Sequence, residues 1–152
     1  MENEVRVGDC QVSVEIDVQW RDLDVLAHVN NAEYIKWFES ARIAALGRIE
    51  LLSPEGRLPT RITLGPILGS VTCRYLQPVG FPARVRVGVY LSRMGGASFN
   101  LSYVVELMES GAIVATGDSV LVHYDYEKQC SAPLSDEKKR LITERLSLVD
   151  AD

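Results

Sequence analysis

Histidine and cysteine are scarce in this chain, and the few present are badly spaced for metal or disulfide chemistry. Cys10, Cys73 and Cys130 are odd in number and include no CxxC pair. That pattern predicts neither a disulfide framework nor a zinc site, and leaves the three thiols as buried or incidental groups. The only histidines, His28 and His123, have no third ligand at regular spacing, which argues against a catalytic metal. Ser40, Ser70 and Ser98 lie outside any GxSxG turn, so a serine hydrolase is not indicated. No cluster of Lys or Arg forms a broad positive face, and sixteen basic against twenty-one acidic residues give a net charge of -5, which argues against nucleic acid as a partner. No window approaches the roughly 20 apolar residues that a bilayer-spanning helix needs. The opening "MENEVRVGDC" lacks the basic flank and apolar run of a secretory signal, so the expectation is a cytoplasmic protein without stable membrane insertion. Repeats and low-complexity tracts are also missing, and 152 residues suit one domain, residues 1–152.

What the chain does have is patterned hydrophobicity. In "VSVEIDVQW" the residues Val12, Val14, Ile16, Val18 and Trp20 alternate with polar ones, the period of a strand with one buried face. After a polar connector, Tyr34, Trp37, Phe38, Ala41 and Ala45 recur at helical spacing, which predicts a helix from about Asn31 ending in a left-handed cap at Gly47. Asn30 followed by Glu33 resembles a capping box. Ile35, Ile43, Ala44 and Leu46 lie off the main stripe, so the helix should be largely covered. Four strand-like segments follow, "GSVTCRYL", "ARVRVGVYLSR", "ASFNLSYVVELM" and "AIVATGDSVLVHYDY", with turn signals at Gly95-Gly96 and Ser110-Gly111 that predict antiparallel hairpins. A 12-residue strand extends roughly 40 Å against about 24 Å for a 16-residue helix, so a twisted sheet of such strands can curl around the helix. "LSDEKKRLITERLSL" reads as a final amphipathic helix resting on Leu141, Ile142 and Leu146, and "LLSPEGRLPTR" as a flexible link or substrate lid.

The unusual stretch is the connector "RDLDVLAHVNNAEYIKWF", which crowds two aspartates, a histidine and two asparagines between strand and helix. Such residues serve turns by bonding to nearby backbone, and Asn30 has a sufficient role as a helix cap. The same residues also suit acyl chemistry. The first N–H groups of a helix have no partners within it and carry partial positive charge, so they can hold a carbonyl oxygen as it becomes an oxyanion. A carboxylate at Asp24 is placed to act as nucleophile or as base on water. Asp22 reads as structural, paired with Arg21, and His123, in phase with Leu121, as packed.

The stretch "DLDVLAHVNNAEYIKWFESAR" resembles the signature of hot-dog-fold acyl-CoA thioesterases of the 4-hydroxybenzoyl-CoA thioesterase type, and "DLD", "HVNN" and the following Tyr are similar to plant acyl-ACP thioesterases. The similarity continues through "RYLQPVGFPARVRV", "GGASF" and "GAIVATGDSVLVHYD". The resemblance implies an α+β hot-dog fold, a five-stranded, mostly antiparallel sheet wrapped around one long central helix, with a C-terminal helix added. It implies hydrolysis of an acyl-CoA, or of an acyl carrier protein thioester, in a homodimer or dimer of dimers with shared sites, and no cofactor beyond the coenzyme A of the substrate. Catalysis then falls to Asp24, to the backbone N–H of Asn31 and to His28. Tyr34, Trp37 and Leu68 are candidates for the acyl pocket, and Arg93, Gly96 and Ser98 for contacts to the coenzyme.

Two departures keep other readings open. Where the plant enzymes have Asn two residues after the aspartate, this chain has Leu26, and where some relatives have basic residues at the hairpin tip it has "GGAS" with Arg93 nearby. A non-catalytic acyl-CoA-binding module is therefore an alternative. A hot-dog enoyl-CoA hydratase is another, although "DLDVLAH" lacks the Asn and Pro of that pattern.

Overall fold

A computed structural model of the chain describes residues 4–51 and 63–149. In chain order the elements are β1 (Val12–Asp17), α1 (Asn31–Arg48), β2 (Leu64–Tyr75), β3 (Arg84–Met94), β4 (Ser98–Leu107), β5 (Ile113–Asp125), β6 (Cys130–Ser131) and α2 (Asp136–Leu146). The sheet runs β1-β3-β4-β5-β2, with every ladder antiparallel. The curled sheet around one long helix is the hot-dog arrangement. One strand was not foreseen. The two-residue β6 pairs with Tyr124 and Asp125, beyond Val122, where the β4 ladder ends, and is too short to show a period.

The concave face holds α1. Tyr34, Trp37, Phe38, Ala41 and Ala45 are buried against Val85, Val87 and Val89 of β3 and Phe99, Leu101, Tyr103 and Val105 of β4. Phe38 stacks on Tyr103 with ring centroids 4.6 Å apart. Gly117 of β5 makes this fit possible, because a Cβ there would stand 2.3 Å from the Phe38 ring. Burying side chains of this size stabilises the fold by about 1.5–3 kcal/mol each, and truncating them leaves a cavity besides.

Several expectations need correction. The strand stops at Asp17 and a 3-10 turn, Trp20–Asp22, follows, so Trp20 leaves the alternation and lies exposed, edge-on to Phe81 at 5.6 Å. Helix α1 runs through Gly47 to Arg48, and the left-handed residue is Glu50, at φ 63°. The apolar side chain of Ile49 explains the overrun: it is buried, and its N–H still bonds to Ala45. Ile43 is 40% exposed, so the covering of the helix is incomplete within one chain. Apart from Leu51, the expected link or lid "LLSPEGRLPTR" lies outside the described residues.

The chain's end is tied down. Ser135 caps α2 by accepting from Lys138 N–H, and Ile142 and Leu146 are buried. His123 is packed as expected, its Nδ1 3.1 Å from the Ala132 carbonyl oxygen. Among the described residues no helix is long and apolar enough to cross a membrane.

Candidate active site

The connector is a compact loop held by its own backbone. Asp24 N–H donates to the His28 carbonyl, Ala27 N–H to the Asp24 carbonyl, and Leu23 bridges to Val29. Ala27 takes a left-handed φ of 61° to close this turn. Val29 is buried and its N–H donates to Val79, which anchors the loop to the chain leaving β2. Asp22 is a brace, but not through Arg21: its carboxylate accepts from Gln19 N–H at 2.7 Å and its carbonyl accepts from Asn30 N–H.

The Asp24 carboxylate is only partly engaged. Its Oδ1 accepts from Leu26 N–H at 2.8 Å, fixing the side chain in an Asx turn. The other oxygen has no hydrogen-bond partner among the described residues. Leu26, where the plant pattern has Asn, is exposed and supplies this backbone N–H instead of a side-chain relay.

At the start of α1 the amides are unequally occupied. Asn30 Oδ1 accepts from Ala32 N–H, and Glu33 N–H donates to the Asn30 carbonyl. The expected capping box does not form: Asn30 Oδ1 caps Ala32 rather than Glu33, Asn30 N–H goes to Asp22, and the Glu33 side chain pairs with Lys36. The Asn31 N–H finds no acceptor among the described residues. A helix-start donor with its own dipole behind it suits an anionic or carbonyl oxygen.

These groups share one cleft of about 350 Å³, lined by Asp24, Leu26, His28, Asn31 and Tyr34 together with Tyr75, Leu76, Gln77 and Pro78. That volume suits a small-molecule site. A second cleft of about 410 Å³, walled by Trp20, Leu23, Val25 and Ala27, meets the first at Asp24. A larger hollow of about 510 Å³ lies elsewhere, at the end of β1, lined by Val18, Pro82 and Met108 among others. Its charged rim is already partly neutralised, with Arg84 2.5 Å from Asp17. It offers no free helix-start amide beside a carboxylate, so the smaller cleft is the chemically equipped one.

Four of the nine residues singled out from sequence, Asp24, His28, Asn31 and Tyr34, therefore line one cleft. Trp37 does not reach it: the ring is buried behind Tyr34, at a centroid distance of 4.6 Å. Leu68 lies on β2 seven residues before Tyr75, roughly 23 Å along the strand. Arg93, Gly96 and Ser98 sit at the hairpin between β3 and β4, where Ser98 pairs with Val122 near the Leu64 end of the sheet. Within one chain they belong to the opposite end from Asp24. The Gly96 carbonyl is also taken, by Leu134 N–H.

Sequence reasoning missed Tyr75, Leu76, Gln77 and Pro78. The run "RYLQP" was part of the resemblance, but nothing local marks the end of a strand as the wall of a cleft formed by a loop some fifty residues earlier. Tyr75 meets Tyr34 edge-on at 5.0 Å and its hydroxyl donates to the Asn31 carbonyl at 2.9 Å. Burial, with Cys73 and Tyr75 alongside, pushes the Tyr34 phenol up to about 12. Burial also raises Tyr75 and Cys73. All three are proton-bearing, neutral groups in the neutral range, so they add no charge to compete with Asp24.

Comparison with known proteins places the chain in a family. Residues 18–144 match the model of the thioesterase-like superfamily. The chain belongs to that superfamily. As an enzyme of the thioesterase-like superfamily it is a thioester hydrolase. It is 27% identical to the long-chain acyl-CoA thioesterase FadM of Escherichia coli over 83% of this chain and 92% of that protein. Among solved structures it is similar to a Thermus thermophilus thioesterase complexed with coenzyme A and zinc, at 31% identity and a TM-score of 0.75, covering 90% of this chain and 95% of that one. A 1,4-dihydroxy-2-naphthoyl-CoA thioesterase from Synechocystis shares the fold, with a TM-score of 0.75 at 17% identity over 88% and 96% of the two chains.

Proposed function

We propose that this thioesterase hydrolyses acyl-CoA to a free acid and coenzyme A, with Asp24 as the acting carboxylate and the Asn31 N–H as oxyanion donor. The observation that carries the reading is the meeting of those two groups in one cleft, each with hydrogen-bonding capacity left over. As a general base, Asp24 takes a proton from water while the water oxygen bonds to the carbonyl carbon. The tetrahedral oxyanion rests on Asn31 N–H, the C–S bond then breaks, and the leaving thiolate takes up a proton. Direct attack by the Asp24 carboxylate, followed by hydrolysis of the anhydride, uses the same geometry. His28, on the rim, orients substrate or water.

The similarity to FadM and to a thioesterase seen with coenzyme A supports coenzyme A as the thiol carrier, with acyl carrier protein as the lesser choice. The narrower resemblance of "HVNN" to plant acyl-ACP enzymes supports the roles of Asp24 and His28. A cytoplasmic location belongs to the same reading.

The reading includes a homodimer, and a dimer of dimers remains compatible with it. Among the described residues the far edge of β2 has no neighbouring strand, and Leu64, Ile67, Leu68 and Tyr75 are exposed along β2. Antiparallel pairing of two such edges would carry a partner's Leu64 end toward this chain's Tyr75 end. Leu68 and the hairpin at Arg93, Gly96 and Ser98 would then serve the site of the other subunit. Light scattering that finds only a monomer contradicts this assembly.

The test is thiol release, read with a disulfide reagent, from acetyl-, octanoyl-, palmitoyl- and benzoyl-CoA. Stoichiometric thiol and acid from at least one is the expected result. Binding of all four without thiol release over hours would favour the non-catalytic module. Loss of the enone absorbance of crotonyl-CoA without thiol would favour the hydratase.

A further inference from the structure

We infer that Tyr75 is a positioning residue of the hydrolase, whose hydroxyl holds the start of α1 so that the Asn31 N–H stays aimed into the cleft. The inference rests on the proposed function and goes beyond it, because nothing in the resemblance or the comparisons assigns Tyr75 a role.

The N–H of Asn30 is fixed by the Asp22 carbonyl. The next peptide carries the free Asn31 N–H, and its carbonyl, on Asn30, accepts from Glu33 N–H at 2.9 Å. The peptide after that is held at both ends: its N–H, on Ala32, goes to Asn30 Oδ1 at 2.9 Å, and its carbonyl, on Asn31, accepts from the Tyr75 hydroxyl at 2.9 Å. The free donor is thus bracketed by clamped groups, and only one of the clamps comes from outside the connector and helix. That one is Tyr75. Preorganised donors act by needing no rearrangement when charge develops, so a clamp on the neighbouring peptide bears on the transition state more than on substrate capture.

The ring of Tyr75 is itself located, edge-on to the buried Tyr34. β2 brings it there through its pairing with Ala115 of β5, so the clamp ties the loop and helix start to the end of the sheet. The hydroxyl sits at the rim and Tyr75 is 43% exposed, which makes removal of its oxygen a mild change for the fold.

The test compares wild type with Tyr75→Phe, Asn30→Ala and the double variant, using the acyl-CoA panel above and thermal melts. Tyr75→Phe keeps the ring and deletes only the donor. A clamp of this kind contributes about 0.5–1.5 kcal/mol, so kcat should fall by up to about two- to twelvefold with KM little changed, and the melting temperature should drop by no more than a few degrees. Because Asn30 and Tyr75 hold the same peptide, the double variant should lose less than the product of the two single losses. Wild-type kcat in Tyr75→Phe, a loss carried by KM alone, or multiplicative losses in the double variant would overturn the inference. Asp24→Asn separates the two levels: if it is inactive while Tyr75→Phe is normal, only the positioning role fails. If Asp24→Asn is active, or wild type releases no thiol, the underlying function fails and the inference with it.

Discussion

Tyr34 shows how much one buried side chain can report. Its phenol keeps its proton up to about pH 12, whereas an unfolded chain would release it near the ordinary value of 10. Below pH 10 both states bind the proton and stability does not depend on it. Between 10 and 12 the unfolded state binds fewer protons, so stability falls as pH rises. Denaturant unfolding at pH 8 and pH 11 should therefore show a larger loss in wild type than in Tyr34→Phe, and equal losses would contradict the burial argument. Tyr34 was legible in the sequence as a core residue and a candidate for the acyl pocket; it is buried, and it lines the cleft beside Asp24. Arg42 was not legible at all: it lies buried on the helix, 3.4 Å from the Tyr103 hydroxyl, which is 2.7 Å from Ser119 Oγ. Its partners are far away in sequence, and periodicity carries no information about which side chains meet across layers.

Among the elements, the contact between α1 and β5 is the most exacting. Replacing Gly117 by Ala forces a methyl group into the Phe38 ring and against the Thr72 carbonyl, 2.7 Å from the new Cβ. Overpacking of this kind costs about 1–3 kcal/mol, to be read as a lowered denaturation midpoint with an unchanged slope. A variant as stable as wild type would mean that the sheet moves away from the helix at little cost. The order of strands and helices could be read from alternation and turn residues, because those signals are local. The helix end could not: Gly47 is a good cap, but the burial of Ile49 outweighs it, so the helix runs on to Arg48 and the left-handed turn comes at Glu50, three residues after Gly47. The same limit explains Trp20, which keeps the strand's period in sequence after the backbone has already left the strand.

For the whole molecule the question is how a sheet, a helix and a loop combine into a site. The charges on the β1–β3 surface are largely internal pairs, Arg84 with Asp17 and Glu15 and Arg86 with Glu15, so that face gives no strong field for a charged partner. The proposed site lies instead where the connector delivers Asp24 to the start of α1, in the cleft lined by both. The Asp24–His28–Asn31 grouping was legible because it is contiguous in sequence. The β2 wall of the cleft was not, since only the fold brings Tyr75 to Asn31. The most direct test is the turnover of Asp24→Asn on the best acyl-CoA of the panel. Asn keeps an oxygen to accept from Leu26 N–H, so the loop should hold and the melting temperature should stay near wild type, while the negative charge is lost. A fall in kcat of about 100-fold or more is expected, the scale on which loss of one key catalytic group is felt. Turnover within a few-fold of wild type would contradict it.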